Sequence, residues 1–374
     1  MTWIHELKEW PEFTWDDSLL SAKLADIRYQ QGRLLGRMEN LGFDLRREAS
    51  LSTLTNDVVK SSAIEGEALN SEEVRSSIAR RLGLDIGGLV PSNRDVEGIV
   101  EVMLDATQLH SNPLTEERLF DWHAALFPTG RSGMHRITVG AWRPETAGPM
   151  QIVSGPIGQE QIHFEAPMAT RIPKEISAFL AWFESRTAID PVLKVGLAHL
   201  WFVTIHPFED GNGRIARAIV DMALARADGT SDRFYSLSAQ IEAERTTYYK
   251  WLERQQRGTL DVTAWLDWFL GCLGRAIDST EETLARVLYK TQVWSYVNLR
   301  PVNLRQRLIL NRMLDGFKGF MSTSKYAKIA KCSQDTALRD IRDFLERGIF
   351  VRNAGKGRST TYRLATAEEL ISIQ

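Results

Sequence analysis

Apolar residues recur at helical spacing along almost the whole chain, and strand-type runs are confined to short stretches. The pattern predicts a helix over 17–39 and a second from about Ser50, with Leu51, Leu54 and Val58 on one face, ending at Gly66. Further helices are expected near 71–82, 93–110 and 115–127. Between about 130 and 168 glycine, proline and β-type runs take over, and 136–139 and 161–164 read as two strands of a hairpin or flap. Pro173 starts a helix with Ile176, Phe179, Leu180 and Phe183 inward, and Asp190-Pro191 opens the next. Residues 192–205 are apolar at nearly every position, the mark of a helix buried on most sides. A second central helix is expected over 214–227, with others over 240–257 and 261–297.

The last part reads differently. Helices over 305–315, 324–330 and 334–347 are followed by a short apolar run at 349–352, a Gly-Lys-Gly-Arg turn at 355–358 and a strand at 360–364. That order is a winged-helix pattern, with the second and third helices as a helix-turn-helix pair. The fold class expected is therefore mainly α, with a β-hairpin flap and a C-terminal winged helix. The organisation expected is an N-terminal helical extension (1–48, with Trp3, Trp10 and Trp15), a helical segment (49–112), a core domain (113–298) and the winged helix (299–374).

Composition narrows the class. The 374 residues are 43% hydrophobic and 25% charged, as in an ordinary globular protein. Cys272 and Cys332 lie in unrelated segments, too few for a disulfide framework or a zinc site, and a reducing cytoplasm is expected. The N-terminus has no signal-like core, and no apolar run approaches the ~18 residues a membrane span needs. The net charge of −2 hides an asymmetry, because residues 301–363 carry fourteen Lys/Arg against five Asp/Glu. Local cationic density of this kind suits contact with DNA, or with a protein partner, through residues 300–374, with Lys356, Arg358 and Arg363 as candidate phosphate contacts.

The densest chemistry lies in residues 206–217, His-Pro-Phe-Glu-Asp-Gly-Asn-Gly-Arg-Ile-Ala-Arg. Pro207 is expected to hold His206 extended, and the turn formers Asp210, Gly211, Asn212 and Gly213 lead into the helix that follows. A helix N-terminus offers free N–H groups and about half a positive charge, so the string reads as an anion site with Arg214 and Arg217 reinforcing it. Gly211–Ala216 also matches G-x-G-x-x-A, but that fingerprint follows a buried strand and this one follows a helix. His206 could take a proton from an attacking hydroxyl. Asp210 is a hard oxygen ligand suited to Mg²⁺ on ATP phosphates, and Asn212 with the backbone of 211–214 could hold those phosphates. His199 and His123 read as core histidines, and His163 as a structural residue or a contact for ATP or target.

His206 to Arg217 resembles, without a gap, the signature of Fic-domain proteins, and the resemblance extends over roughly 50–280. It implies an all-helical core with a hairpin flap, and transfer of AMP from ATP to a Ser, Thr or Tyr hydroxyl of a protein target, the chain itself included. His206 would be the base and Asp210 the Mg²⁺ ligand. Gly213 stands where the phosphorylating Doc-like branch has lysine, which favours AMP transfer. Gln161, Ile162 and His163 resemble the flap that holds the target segment by backbone pairing. Tyr248, Tyr249 and Gln256 match adenosine-contacting positions, although Gln256 replaces the usual asparagine. Ser61, Glu65 and Gly66 fit the family's inhibitory motif, which implies that Glu65 pairs with Arg217 in place of the ATP γ-phosphate and could also position water for AMP removal. Family members often form homodimers. Two other readings share the residues: a DNA-binding regulator with the core as nucleotide sensor, and transfer of another nucleotide or phosphocholine.

Overall fold

A computed structural model describes residues 2–84, 88–155, 161–317, 319–353 and 360–371. They form two compact units, Met1–Leu82 with Pro91–Thr280, and Gly83–Val90 with Glu281–Gln374. The first begins with α1 (Asp17–Glu39), α2 (Phe43–Ile64), α3 (Ser71–Arg81), α4 (Arg94–Gln108) and α5 (Glu116–Leu126). Strands β1 (Arg131–Ser132), β2 (His135–Arg136), β3 (Gln151–Ser154) and β4 (Gln161–Glu165) follow. The unit is completed by α6 (Ile172–Glu184), α7 (Pro191–Ile205), α8 (Asn212–Asp228), α9 (Leu237–Ala243), α10 (Arg245–Gln256) and α11 (Thr263–Asp278).

The centre of this unit is the pair α7 and α8, packed on each other and on α4, α6 and α11. Helix α7 is buried from Val192 to Ile205 except at Lys194, whose ammonium reaches out to the Phe183 and Ser185 carbonyls at 2.8 Å. Asp190 caps α7 by accepting from the Val192 N–H at 2.8 Å, with Pro191 at the first position, where a missing N–H costs nothing. Helix α2 starts seven residues before the expected Ser50 and lies on α3, α8 and α9. Its inward residues Leu51, Leu54 and Val58 are fully buried.

Two expectations are corrected. The flap pairs β4 with Gln151–Ser154, antiparallel, and not with 136–139. Arg136 instead closes a separate two-residue ladder with Arg131. The tight turn between β1 and β2 takes up that strand locally, leaving the later run free for β4. Nor are residues 2–48 an appendage: α1 packs on α11, the Thr14 N–H donates to the Leu260 carbonyl at 2.9 Å, and Trp10 Nε1 donates to Glu175 at 2.8 Å.

The second unit contains most of α12 (Thr280–Asn298), whose Val293 and Val297 sit in its core, so the compact units divide near 280 and not near 298. It continues with α13 (Leu304–Leu314), α14 (Thr323–Ile329), α15 (Gln334–Glu346), β5 (Phe350–Arg352), β6 (Tyr362–Leu364) and α16 (Ala367–Ile371). Ile309, Leu310, Tyr326, Ile341, Phe344, Phe350 and Tyr362 form its core. β5 and β6 pair antiparallel, and Met321 bridges to Tyr362 as a short third rung. Lys356 and Arg358 lie outside the described residues. Arg363 is engaged by both oxygens of Glu369 at 2.7 Å.

Candidate functional site

His206 ends α7 in the left-handed conformation, φ 51° and ψ 59°, where an extended residue was expected. The physical cause is a staple. The His206 N–H still closes the last turn of α7 on the Phe202 carbonyl at 3.1 Å. Buried Arg143 donates Nε to the His206 carbonyl and its own backbone N–H to the Pro207 carbonyl, both at 2.9 Å. The chain must therefore reverse within one residue. A non-glycine residue held at positive φ costs on the order of 1–3 kcal/mol and is found where surrounding structure enforces it.

The imidazole of His206 has a defined tautomer. Nδ1 lies 3.3 Å from the Val203 carbonyl, which can only accept, so Nδ1 carries the proton and Nε2 the lone pair. Burial pushes its pKa down to about 4, the Val203 bond opposes this, and the nearby Arg143 charge adds to the lowering. His206 is therefore neutral at pH 7.

The loop 207–211 is fixed from below by residues that the sequence reading gave other duties. Asn212 clamps Phe208 with its side-chain amide, accepting from the N–H at 3.0 Å and donating to the carbonyl at 2.8 Å. This clamp shapes the loop. His123 stacks on Phe208 with ring centroids 4.2 Å apart. Its Nδ1 accepts from the Gly140 N–H and its Nε2 donates to the Asp210 carbonyl, both at 3.2 Å, so this core histidine also positions the loop. Asp210 is half-buried; one carboxylate oxygen accepts from Ser132 Oγ and the other from the Gly211 N–H at 2.5 Å. Gly211, at φ 81°, starts α8 where a Cβ would stand 2.8 Å from the Phe127 ring.

Gly213 and Arg214 lie in the first turn of α8, and Arg217 follows one turn later. Arg217 is buried and meets three groups of α2 and its end: Nε donates to Ser61 Oγ at 2.9 Å, and Nη2 donates to the Ser61 carbonyl at 2.9 Å and to Glu65 Oε1 at 2.7 Å. Its Nη1 is buried without a hydrogen-bond partner. A Cβ on residue 213 would stand 3.2 Å from that Nη1 and 3.0 Å from the Glu65 carboxyl carbon. Gly66, at φ 86°, turns the chain at the end of α2 and so delivers Glu67 to Arg214, which donates Nη1 to it at 2.8 Å. Glu67 was missed by the sequence reading, although an acid two residues beyond Glu65 is a usable signal. The arginines of the anion site thus both hold carboxylates.

The residues expected on the adenosine side divide. Tyr249 is partly exposed and its hydroxyl lies 3.5 Å from the Ile64 carbonyl. Tyr248 is buried on His199 at 2.9 Å, and Gln256 is buried with Nε2 3.4 Å from Thr204 Oγ1. On the flap, Gln161 and Ile162 are exposed. His163 is turned to α10, with Nδ1 2.9 Å from Glu253 and Nε2 2.5 Å from Ser154 Oγ. Among the described residues no three His, Cys, Asp or Glu side chains gather to hold a metal alone, and no helix is long and apolar enough to cross a membrane.

A helical core, a two-stranded hairpin and a helix N-terminus flanked by two arginines define the class. Residues 113–224 match the Fic/DOC family. Residues 3–84 match a domain of unknown function, DUF4172. The chain is 24% identical over 321 residues to the protein adenylyltransferase Fic of Aedes aegypti, covering 83% of this chain and 55% of that protein. To the protein of the same name from Nematostella vectensis it is 25% identical over 228 residues, 59% of this chain and 47% of the relative. The chain thus spans about half the length of these curated relatives. The same fold occurs in a crystal structure of a Fic family protein from Desulfovibrio desulfuricans, with TM-score 0.51 and 22% identity over 92% of this chain and 96% of that one. It also occurs in a Fic domain containing signaling protein from Bacteroides thetaiotaomicron, with TM-score 0.52 and 17% identity over 70% and 97%.

Proposed function

We propose that the protein transfers AMP from ATP to a Ser, Thr or Tyr hydroxyl of a protein acceptor, itself included, and that Glu65 restrains this activity. One arrangement carries the reading: a neutral imidazole at the exit of α7 beside a helix N-terminus whose two arginines hold carboxylates. The names of the relatives agree with it.

In the proposed reaction the acceptor hydroxyl oxygen attacks the α-phosphorus while His206 Nε2 takes its proton. The bond from the α-phosphorus to the bridging oxygen breaks, and pyrophosphate leaves. The N–H groups at the start of α8, with Arg214 and Arg217, neutralise charge on the β- and γ-phosphates. Asp210 is the hard oxygen donor that would hold Mg²⁺, the remaining ligands coming from phosphates and water; the ion supplies charge neutralisation at the phosphates.

For ATP to bind productively, the γ-phosphate must take the place of Glu65 on Arg217. Loss of one desolvated charge contact costs roughly 2–5 kcal/mol, a suppression of tenfold for every ~1.4 kcal/mol. Glu67 would add to the restraint through Arg214. We further propose that Glu65 can orient water for removal of AMP from a modified acceptor; a purified AMP-modified acceptor left untouched by the wild-type protein would refute that step. The main test incubates the Glu65→Gly protein with labelled ATP, Mg²⁺ and cell lysate. Labelling well above wild type, abolished by His206→Ala, is expected; equal labelling by wild type and Glu65→Gly removes the brake.

Residues 300–374 support a second reading, a winged helix that binds DNA. Lys325 and Lys328 of α14 and Arg339 and Arg342 of α15 are exposed on the two helices that would enter the groove. DNA binding that weakens steeply with salt, together with no AMP transfer by Glu65→Gly, would favour a regulator over an enzyme.

A further inference from the structure

Nucleotide chemistry leaves the first residues of the chain without a task, yet their side chains converge on the flap. Trp3, Ile4 and His5 are buried. The Trp3 ring meets Phe164 of β4 edge-on, with centroids 5.4 Å apart. His5 donates Nε2 to the Glu165 carbonyl at 2.8 Å, and its own carbonyl accepts from Arg171 at 3.0 Å.

The other face of Trp3 is taken by Arg257, just past α10, with its guanidinium carbon 5.4 Å from the ring centroid. That guanidinium also donates to the Ile162 carbonyl at 2.6 Å and to the His163 carbonyl at 3.3 Å, and pairs with Glu253 at 3.0 Å. Glu253 in turn holds His163. Three backbone carbonyls of β4, those of Ile162, His163 and Glu165, are therefore tied by side chains from the N-terminal segment and the end of α10. The register of the hairpin shifts between Ile152 and Val153, so that His163 is the extra residue of a bulge, which turns it toward Glu253.

A two-stranded hairpin is marginally stable by itself. A flap that holds an extended acceptor segment by backbone pairing binds it more weakly when β4 is not already ordered, because the ordering entropy is then lost on binding. We infer that Trp3 and Arg257 are positioning residues for the acceptor: they brace β4 so that an extended acceptor segment lies at a set distance from His206. This assigns a task to the N-terminal segment and rests on the transferase reading. The ring contacts, hydrogen bonds and ion pair of the Trp3 and Arg257 side chains are with β4, Glu253 and each other, not with the arginines of α8 or with Tyr248, Tyr249 and Gln256, so nucleotide binding should not depend on them.

The test uses the full chain with Glu65→Gly as parent and the full-length His206→Ala protein, titrated, as acceptor of label from ATP. Trp3→Ala and Arg257→Ala should each raise the acceptor KM roughly fivefold to tenfold. The kcat should stay within about twofold, and affinity for a fluorescent ATP analogue should not change. Trp3→Phe should restore the parent KM, and hydrogen exchange of peptides spanning 150–166 should rise in the two alanine variants alone. An unchanged acceptor KM, or a parallel loss of ATP affinity, overturns the brace and leaves the transferase reading standing. A parent that binds the analogue but labels no acceptor overturns the transferase reading, and the positioning role with it.

Discussion

Glu65 and Arg217, 152 residues apart in sequence, are joined by a 2.7 Å charge-assisted hydrogen bond directly over Gly213. The absence of a side chain at 213 is what leaves room for the Glu65 carboxylate.

A double-mutant cycle should expose that dependence. Alanine in a helix is ordinarily better than glycine by about 0.5–1 kcal/mol, but here its Cβ overlaps Glu65. Gly213→Ala should destabilise the wild-type protein by about 1–3 kcal/mol and should be neutral or stabilising in the Glu65→Gly background. Urea denaturation of the four proteins measures the sign change; additivity would place the carboxylate elsewhere.

The second prediction concerns proton transfer. With its pKa lowered to about 4, His206 stays an unprotonated base throughout the range in which an ordinary histidine, near 6.5, becomes charged. In the free Glu65→Gly protein, the acid limb of kcat/KM for ATP should fall near pH 4–5. The His206 ring signals in an NMR titration should not move between pH 7.5 and 5.5. A midpoint near 6.5 would contradict the desolvated site.

A third prediction concerns the joint between α2 and α8. Asp57 and Asp221 are both fully buried beside Arg233, which pairs with Asp228 at 2.8 Å and lies 3.8 Å from Asp221. Burial pushes both carboxyls up, Asp221 furthest because the neighbouring Asp57 charge adds to the rise, whereas hydrogen bonding to Ser236 and Asp221 holds Asp57 lower. A carboxyl whose pKa is higher in the folded chain stabilises the fold at low pH, and that contribution is lost as pH rises from the ordinary value toward the folded one. Asp221→Asn should therefore gain on wild type as pH rises, by up to about 1.4 kcal/mol per pH unit. Arg233→Met, which leaves buried carboxylates without their cation, should cost about 3–5 kcal/mol. Denaturation at pH 5, 7 and 9 measures both.

Much of the scaffold was legible because its signals are local. The helical period of residues 17–39 coincides with α1, Asp190-Pro191 opens α7, and the fully apolar run after it is the buried helix. What misled was also specific. Pro207 argued for an extended His206, but the Arg143 staple overrides a local preference worth little against two buried backbone bonds. The run 136–139 has strand-like residues, but the tight β1–β2 turn pairs its start with Arg131 and not with β4.

The sequence alone determined the chemical inventory: a base, a hard oxygen ligand, an anion-binding helix start and two arginines within twelve residues, together with a candidate inhibitory acid near the end of α2. Spacing within one helix and its leading loop is enough to place such groups on one site. The meeting of Glu65 with Arg217 was expected from the family resemblance, but only the tertiary structure decided that Glu67 meets Arg214 and Trp3 meets Arg257. Those pairings depend on how α2 lies on α8 and how the N-terminal segment lies on β4. Such packing is set by the shape of buried surfaces, which no local pattern of residues encodes.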